Sequence, residues 1–217
     1  MTKEPSRILI VDDHPLVREG LRMRLSLQAE WQVCGEAGSE EEALALIPKT
    51  LPQLVLVDLN LQSGHGIDLI KRIKSLYPRM AMLVFSGFDE SLYAERALRA
   101  GALGYLNKRA SHEKLVEAIH AVLNGQRFIS SALAQRLVHQ ALGDTDPSSA
   151  PTSRLTDREL EVFRLIGTGF ATGAIAERLF LSPHTIDTHR ENIKRKLNLG
   201  SGGELTRAAV QWVLENG

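Results

Sequence analysis

Between residues 8 and 125, short apolar runs alternate with longer amphipathic stretches. The runs are 8–11, 31–35, 54–57, 81–85 and 102–106. Between them lie 15–27, 40–47, 66–76, 91–100 and 112–123, where apolar residues recur at helical spacing. In the first of these, Leu16, Gly20, Met23 and Leu27 fall along one face. Short apolar runs predict buried strands, and the intervening 3.6-residue period predicts helices. Strand and helix units in series predict a parallel sheet with helices on both faces. In such sheets functional groups collect at the carboxyl ends of the strands.

The pattern changes after Gly125. Residues 130–142 read as one connecting helix, and 143–153 are polar, rich in Pro and Ser, and without apolar period. That composition predicts a linker. From Leu155 onward only helix patterns occur. Thr156-Asp157-Arg158-Glu159 fits a capping box opening a helix to about Ile166. A short helix over 172–179 follows. Ser182-Pro183 opens a third, with Ser as cap and Pro in its first turn, running to about Leu197. The run 199–203 breaks it, and 204–214 form a fourth. The expected organisation is an α/β domain over 1–125, a connecting helix and linker over 126–153, and a smaller all-α domain over 154–217.

The chain has 217 residues, 43% hydrophobic and 24% charged, which suits two small domains. No apolar run is long enough to span a membrane, and the polar start is unlike a signal peptide. A cytoplasmic location is expected. The single cysteine, Cys34, allows no internal disulfide and reads as a small buried hydrophobe in a strand. Formal net charge is zero; local charge, rather than the sum, decides nucleic-acid binding.

Candidate chemistry sits where the runs end. Leu9-Ile10-Val11 stops at Asp12-Asp13, and Leu54-Val55-Leu56-Val57 stops at Asp58. Neighbouring strands lie about 5 Å apart, so adjacent first and third strands would crowd three carboxylates at one sheet edge. Repulsion there would raise their pKa values unless a cation is bound. An oxygen-rich donor set suits Mg²⁺, with His14 read as a helix-start residue at the rim. Ser86 ends the fourth run and Lys108 follows the fifth. A carboxylate beside a metal, a hydroxyl and a Lys is a nucleophile site for phosphoryl transfer.

On these residues, Asp12-Asp13, Asp58, Ser86 and Lys108 in order on successive strand ends, the first ~125 residues resemble the receiver domain of two-component response regulators. The whole chain resembles the NarL/FixJ class, with a LuxR-type helix-turn-helix. The resemblance implies a flavodoxin-like, doubly wound five-stranded sheet. It implies that Asp58 accepts a phosphoryl group from a sensor histidine kinase. Asp13 would bind Mg²⁺ directly, Asp12 largely through water, and the Asn60 backbone carbonyl would complete the protein ligands. Ser86 and Lys108 would contact the phosphoryl group, and Tyr105 would turn inward as Ser86 moves toward it. Three positions depart from the family pattern: Gln62 stands where Pro is usual, Gly87 where Ala is common, and Arg109 where many receivers carry a cis-Pro. The first rival is a Mg²⁺-dependent aspartyl-phosphate hydrolase. Such enzymes place a second Asp two residues after the nucleophile, where this chain has Asn60 and so lacks an obvious general base.

In the C-terminal region, 172–179 and 182–197 read as a helix-turn-helix. At about 100° per residue, Ile186, Ile193 and Leu197 share the core side. His184, Thr188, Glu191 and Arg195 lie opposite, flanked by Asp187 and Asn192. Double-stranded DNA is the expected partner. By resemblance Asp187, Thr188 and Glu191 face base edges, and acidic residues there suit cytosine N4 amines. Phosphate contacts are expected from Lys194 and Arg195, with Arg178 and Arg190; His184 belongs to the same face. His189 reads as packed or capping. Leu205, Ala208, Ala209 and Trp212 form a stripe on the last helix. Such a stripe is usually core, while the resemblance implies that the exposed part of this helix pairs two DNA-binding domains, and the four residues are taken as candidates for that homodimer contact. The second rival is a regulator that binds DNA or a partner without phosphorylation, its receiver serving as a docking module.

Overall fold

A computed structural model of the chain describes residues 4–61, 65–142 and 151–216. Of the predicted linker over 143–153, residues 143–150 lie outside the described residues, as does the departure at Gln62; residues 151–153 belong to a 3₁₀ turn instead. The elements in chain order are β1 (Ser6–Val11), α1 (Pro15–Leu25), β2 (Trp31–Ala37), α2 (Glu40–Thr50), β3 (Leu54–Val57), α3 (Gly66–Leu76), β4 (Ala81–Ser86), α4 (Glu90–Ala100), β5 (Gly104–Asn107), α5 (His112–Leu123), α6 (Ser131–Ala141), a 3₁₀ turn (Pro151–Arg154), α7 (Asp157–Gly167), α8 (Thr172–Arg178), α9 (Pro183–Leu197) and α10 (Gly202–Asn216). The chain divides into two compact units, Met1–Leu137 and Val138–Gly217.

In the first unit all strands run parallel in the order β2-β1-β3-β4-β5. This is the doubly wound, flavodoxin-like arrangement, with the reversal of winding between β1 and β3. β1, β3 and β4 are apolar along nearly their whole length because helices cover both faces. Ile8, Ile10, Leu54, Leu56, Leu83 and Phe85 pack with Leu21 and Leu25 of α1 and with Leu115, Ile119 and Val122 of α5. Leu9, Val11, Val55 and Val57 alternate to the other face and are equally buried.

The buried stripe of α1 differs from the expected one. Leu16 is 83% and Leu27 73% exposed, and Met23 is exposed as well. The inward positions are Val17, Leu21 and Leu25. Both stripes satisfy a helical period, and only docking on the sheet selects between them. α2 outlasts the predicted 40–47 and runs to Thr50 with Pro48 inside it. Pro48 has no amide hydrogen to give the Leu44 carbonyl, and only two helical residues follow it. Cys34 is half-buried, less enclosed than expected.

In the second unit α7 packs against α9 and α10, with the Phe163 and Trp212 rings 5.7 Å apart. Thr156 caps α7 in a complete capping box with Glu159. Ser182 caps α9 by accepting from the Thr185 amide, and Pro183 stands in its first turn. A Cβ at Gly167 would lie 2.3 Å from the Ala209 carbonyl oxygen, so the α7/α10 approach requires glycine there.

Candidate functional site

The sheet register assembles the first site. Val11 pairs with Val57, and Val57 with Val84. The chains leaving β1 and β3 therefore place Asp12 and Asp58 side by side, both buried, Asp58 only 3% exposed. Ser86 ends β4 opposite Asn107 of β5, and the Lys108 amide donates to the Ser86 carbonyl at 2.9 Å.

Three residues, Ser86, Lys108 and His14, converge on three carboxylates. Ser86 Oγ donates to Asp58 Oδ1 at 2.7 Å. Lys108 Nζ lies 2.6 Å from Asp58 Oδ2 and 2.6 Å from Asp12 Oδ2. His14 precedes the first turn of α1; its amide donates to Asp12 Oδ1 at 2.9 Å, and its Nδ1 is 2.5 Å from Asp13 Oδ1. Asp12, Asp13, His14 and Asp58 offer ligand atoms all within 4.8 Å of one another.

Burial pushes the Asp58 carboxyl above its ordinary range despite the opposing pull of Lys108, with Asp12 adding to the rise. Burial also raises Asp13, against the lowering effect of His14. Burial lowers Lys108, but Asp58 and Asp12 outweigh it, so the ammonium is held above its usual value. Three carboxylates around one ammonium leave a net charge of −2 before His14 is counted. A divalent cation held by oxygen donors would cancel it, so the donor set fits a hard metal ion. Asn60 is half-buried, two residues beyond Asp58, and bridges to His65.

Tyr105 is buried and its hydroxyl donates to the Phe88 carbonyl at 2.9 Å. Burial raises its phenol strongly. Tyr105 is thus held inside the fold in this structure, and Ser86 lies against Asp58. Gly87 is exposed with open space around it. The Lys108–Arg109 bond is trans, as are all described peptide bonds.

Three contributors carry little signal in the sequence. Arg18 Nη1 donates to the Asp12 carbonyl at 2.6 Å, fixing the loop backbone from one turn into α1. His65 is buried and caps α3, its Nδ1 accepting from the Ile67 amide. A Cβ on Gly66 would lie 2.2 Å from the Asp58 carbonyl oxygen. The only sequence signal for the last two was a His-Gly pair at a helix start.

The second site is the outer face of α9. Ile186 and Ile193 are buried, whereas His184, Asp187, Thr188, Glu191 and Arg195 are exposed. Its basic residues divide. Lys194 Nζ is 2.8 Å from Glu191 and largely covered. Arg195 donates to Asn192 Oδ1 at 2.9 Å. Lys196 turns inward to the buried Glu159 at 2.6 Å. Burial alone would raise Glu159, but the Lys196 ammonium and the Thr156 amide hold it below its ordinary range. Arg178 lies over the Phe170 ring at 5.4 Å, and Arg190 is half-buried. His189 is half-buried between α9 and α7, its pKa lowered by burial and by Arg158.

The expected dimer stripe on α10 needs correction. Leu205, Ala209 and Trp212 are buried, Trp212 against Phe163, and Ala208 is half-covered. They are the core face of the helix. Its outer side carries Val210 and Leu214, the latter 77% exposed. The stripe follows helical period, but α7 occupies it.

Residues 8–120 match the response regulator receiver domain, and residues 153–209 match the luxR family of bacterial regulatory proteins. The transcriptional activator protein ExaE of Pseudomonas putida and the response regulator GacA of Pseudomonas protegens are each 36% identical, over 94% of this chain and 95% of theirs. Among solved structures, RcsB from Salmonella enterica serovar Typhimurium, bound to the rprA promoter in the presence of phosphomimetic BeF₃⁻, is similar. It has a TM-score of 0.63 and 26% identity, over 94% of this chain and 98% of that one.

Proposed function

The chain belongs to the response regulators that join a receiver to a LuxR-type DNA-binding domain, and from that premise we propose that Asp58 is its phosphoacceptor. The carrying observation is that both Asp58 oxygens are addressed, one by Ser86 and the other by Lys108. The donor is the phosphohistidine of a sensor histidine kinase. An Asp58 oxygen attacks phosphorus, the P–N bond to the imidazole breaks, and the proton needed by the leaving imidazole comes from solvent. Lys108 then turns from carboxylate to phosphoryl oxygen, and Ser86 donates to a second. Asp12, Asp13, Asp58 and the Asn60 carbonyl would hold Mg²⁺, which when bound offsets the charge developing on the phosphoryl oxygens.

These groups make the receiver the catalyst of its own phosphorylation. With Asn60 in place of a carboxylate, no side chain at that position can activate water, which favours a persistent phosphoaspartate over hydrolytic turnover. The output is control of transcription through the outer face of α9 set in the DNA major groove. Two half-sites would call for a homodimer, whose α10 contribution is the outer side at Val210 and Leu214. Sensor-kinase input and DNA output both belong in the cytoplasm. No described helix is long and apolar enough to cross a membrane.

Acetyl phosphate with magnesium, followed by intact mass, tests the acceptor. Wild type gains one phosphoryl group and Asp58→Asn gains none. Equal modification of Asp58→Asn would move the acceptor elsewhere.

A further inference from the structure

Among the exposed residues of α9, most polar groups are already engaged. Thr188 Oγ1 donates to the His184 carbonyl at 3.0 Å, so its hydroxyl is committed to its own helix. Glu191 is paired with Lys194, and Arg195 with Asn192. Asp187 is exposed, on the same face, and makes no hydrogen bond or ion pair among the described residues. It stands in the N-terminal half of the second helix of a helix-turn-helix, the part that meets base edges.

A carboxylate can only accept. In the major groove it is repelled by guanine N7 and O6, by thymine O4 and by phosphates. Adenine offers an amine, but beside the N7 acceptor. Cytosine N4 is the one donor not set next to an acceptor on its own base. The neighbouring Thr188, with its hydroxyl engaged, has a methyl group left to offer, which suits the thymine C5 methyl. We infer that Asp187 is the specificity-determining residue of the DNA-binding domain, accepting from the N4 amine of a cytosine beside a thymine read by Thr188. Glu191, tied to Lys194, is not the cytosine reader. This rests on the DNA-binding reading above.

The test selects the full-length chain, with and without acetyl phosphate, on a randomised duplex library. Wild type enriches a site with an adjacent cytosine and thymine. Asp187→Asn moves the cytosine position toward adenine, since an amide can pair with adenine N6 and N7. Asp187→Ala flattens that position alone, and Glu191→Gln keeps it. Replacing that cytosine by N4-methylcytosine, which loses the amine hydrogen facing the groove, weakens wild type roughly tenfold, the scale of one base contact. The same replacement leaves Asp187→Ala unchanged. Unaltered base preference in both Asp187 variants, or indifference of wild type to the methyl group, overturns the assignment. Failure of wild type to enrich any sequence overturns the DNA-binding reading together with it. Asp187 is exposed, so an unshifted melting temperature verifies that its variants fold.

Discussion

In the receiver, the charged groups that carry the chemistry are buried at the ends of hydrogen-bonded strands, and Lys108 bridges Asp12 and Asp58 at 2.6 Å to each. In the DNA-binding unit the groups offered to a partner stand exposed on one helix, and the buried charges, Glu159 and Glu161, are tied to Lys196 and Arg158. The first region holds its charges in tension: burial raises Asp58 and Asp13, and the net negative cluster asks for a cation. The second has resolved its buried charge internally, and Glu159 is lowered. A site that must bind and react keeps uncompensated charge, whereas a scaffold that must present a face neutralises what it buries.

The largest expected effects set the two units against each other through one glycine in each. Gly66→Ala forces a methyl group onto the Asp58 carbonyl, and Gly167→Ala onto that of Ala209. Each costs about 3 kcal/mol, the top of the usual range for overpacking, or more, because backbone cannot yield as a side chain does. Hydrogen exchange read peptide by peptide should register the first loss in the receiver only and the second in the helical unit only. Loss spreading to both would mean the units do not fold independently.

Next in size is Glu159→Ala, which removes half of a capping box and leaves Lys196 without its partner. About 2–4 kcal/mol of the helical unit's stability is at stake, measured by urea unfolding. Glu159→Gln retains the cap and should recover part of it.

The same contrast predicts opposite responses to mild acid in chelator-containing buffer. Asp58 and Asp13 have folded pKa values above the unfolded ones. As pH falls toward the unfolded carboxylate range the native receiver takes up protons first, and its stability rises. Glu159 has a folded value below its unfolded one. Its contribution is fully present above the unfolded value and is lost as pH falls through the folded one. Melting of each unit across that range, followed by hydrogen exchange, checks both signs. Parallel trends would break the comparison.

The smallest effect sharpens the division among the basic residues of α9. Arg195→Ala should reduce the salt slope of DNA binding by about one, as expected for one phosphate contact. Lys196→Ala should leave that slope unchanged and lower stability instead, because its ammonium is turned to Glu159.

The sequence alone determined the strand and helix order, the acidic strand ends and the helix-turn-helix, because these rest on local periodicity, capping residues and residue chemistry. The convergence of Asp12, Asp58, Ser86 and Lys108 was legible because parallel strands deliver their ends to one edge. Facing was decided by tertiary structure. Leu16, Met23 and Leu27 form as regular a stripe as Val17, Leu21 and Leu25, and only the sheet chooses between them. Leu205, Ala209 and Trp212 matched a dimer face until α7 covered them. Lys194, Arg195 and Lys196 are consecutive cations in the chain, yet Glu159 draws one of them inward. A helical period states which residues share a face, but the direction that face takes depends on neighbours brought from elsewhere in the chain.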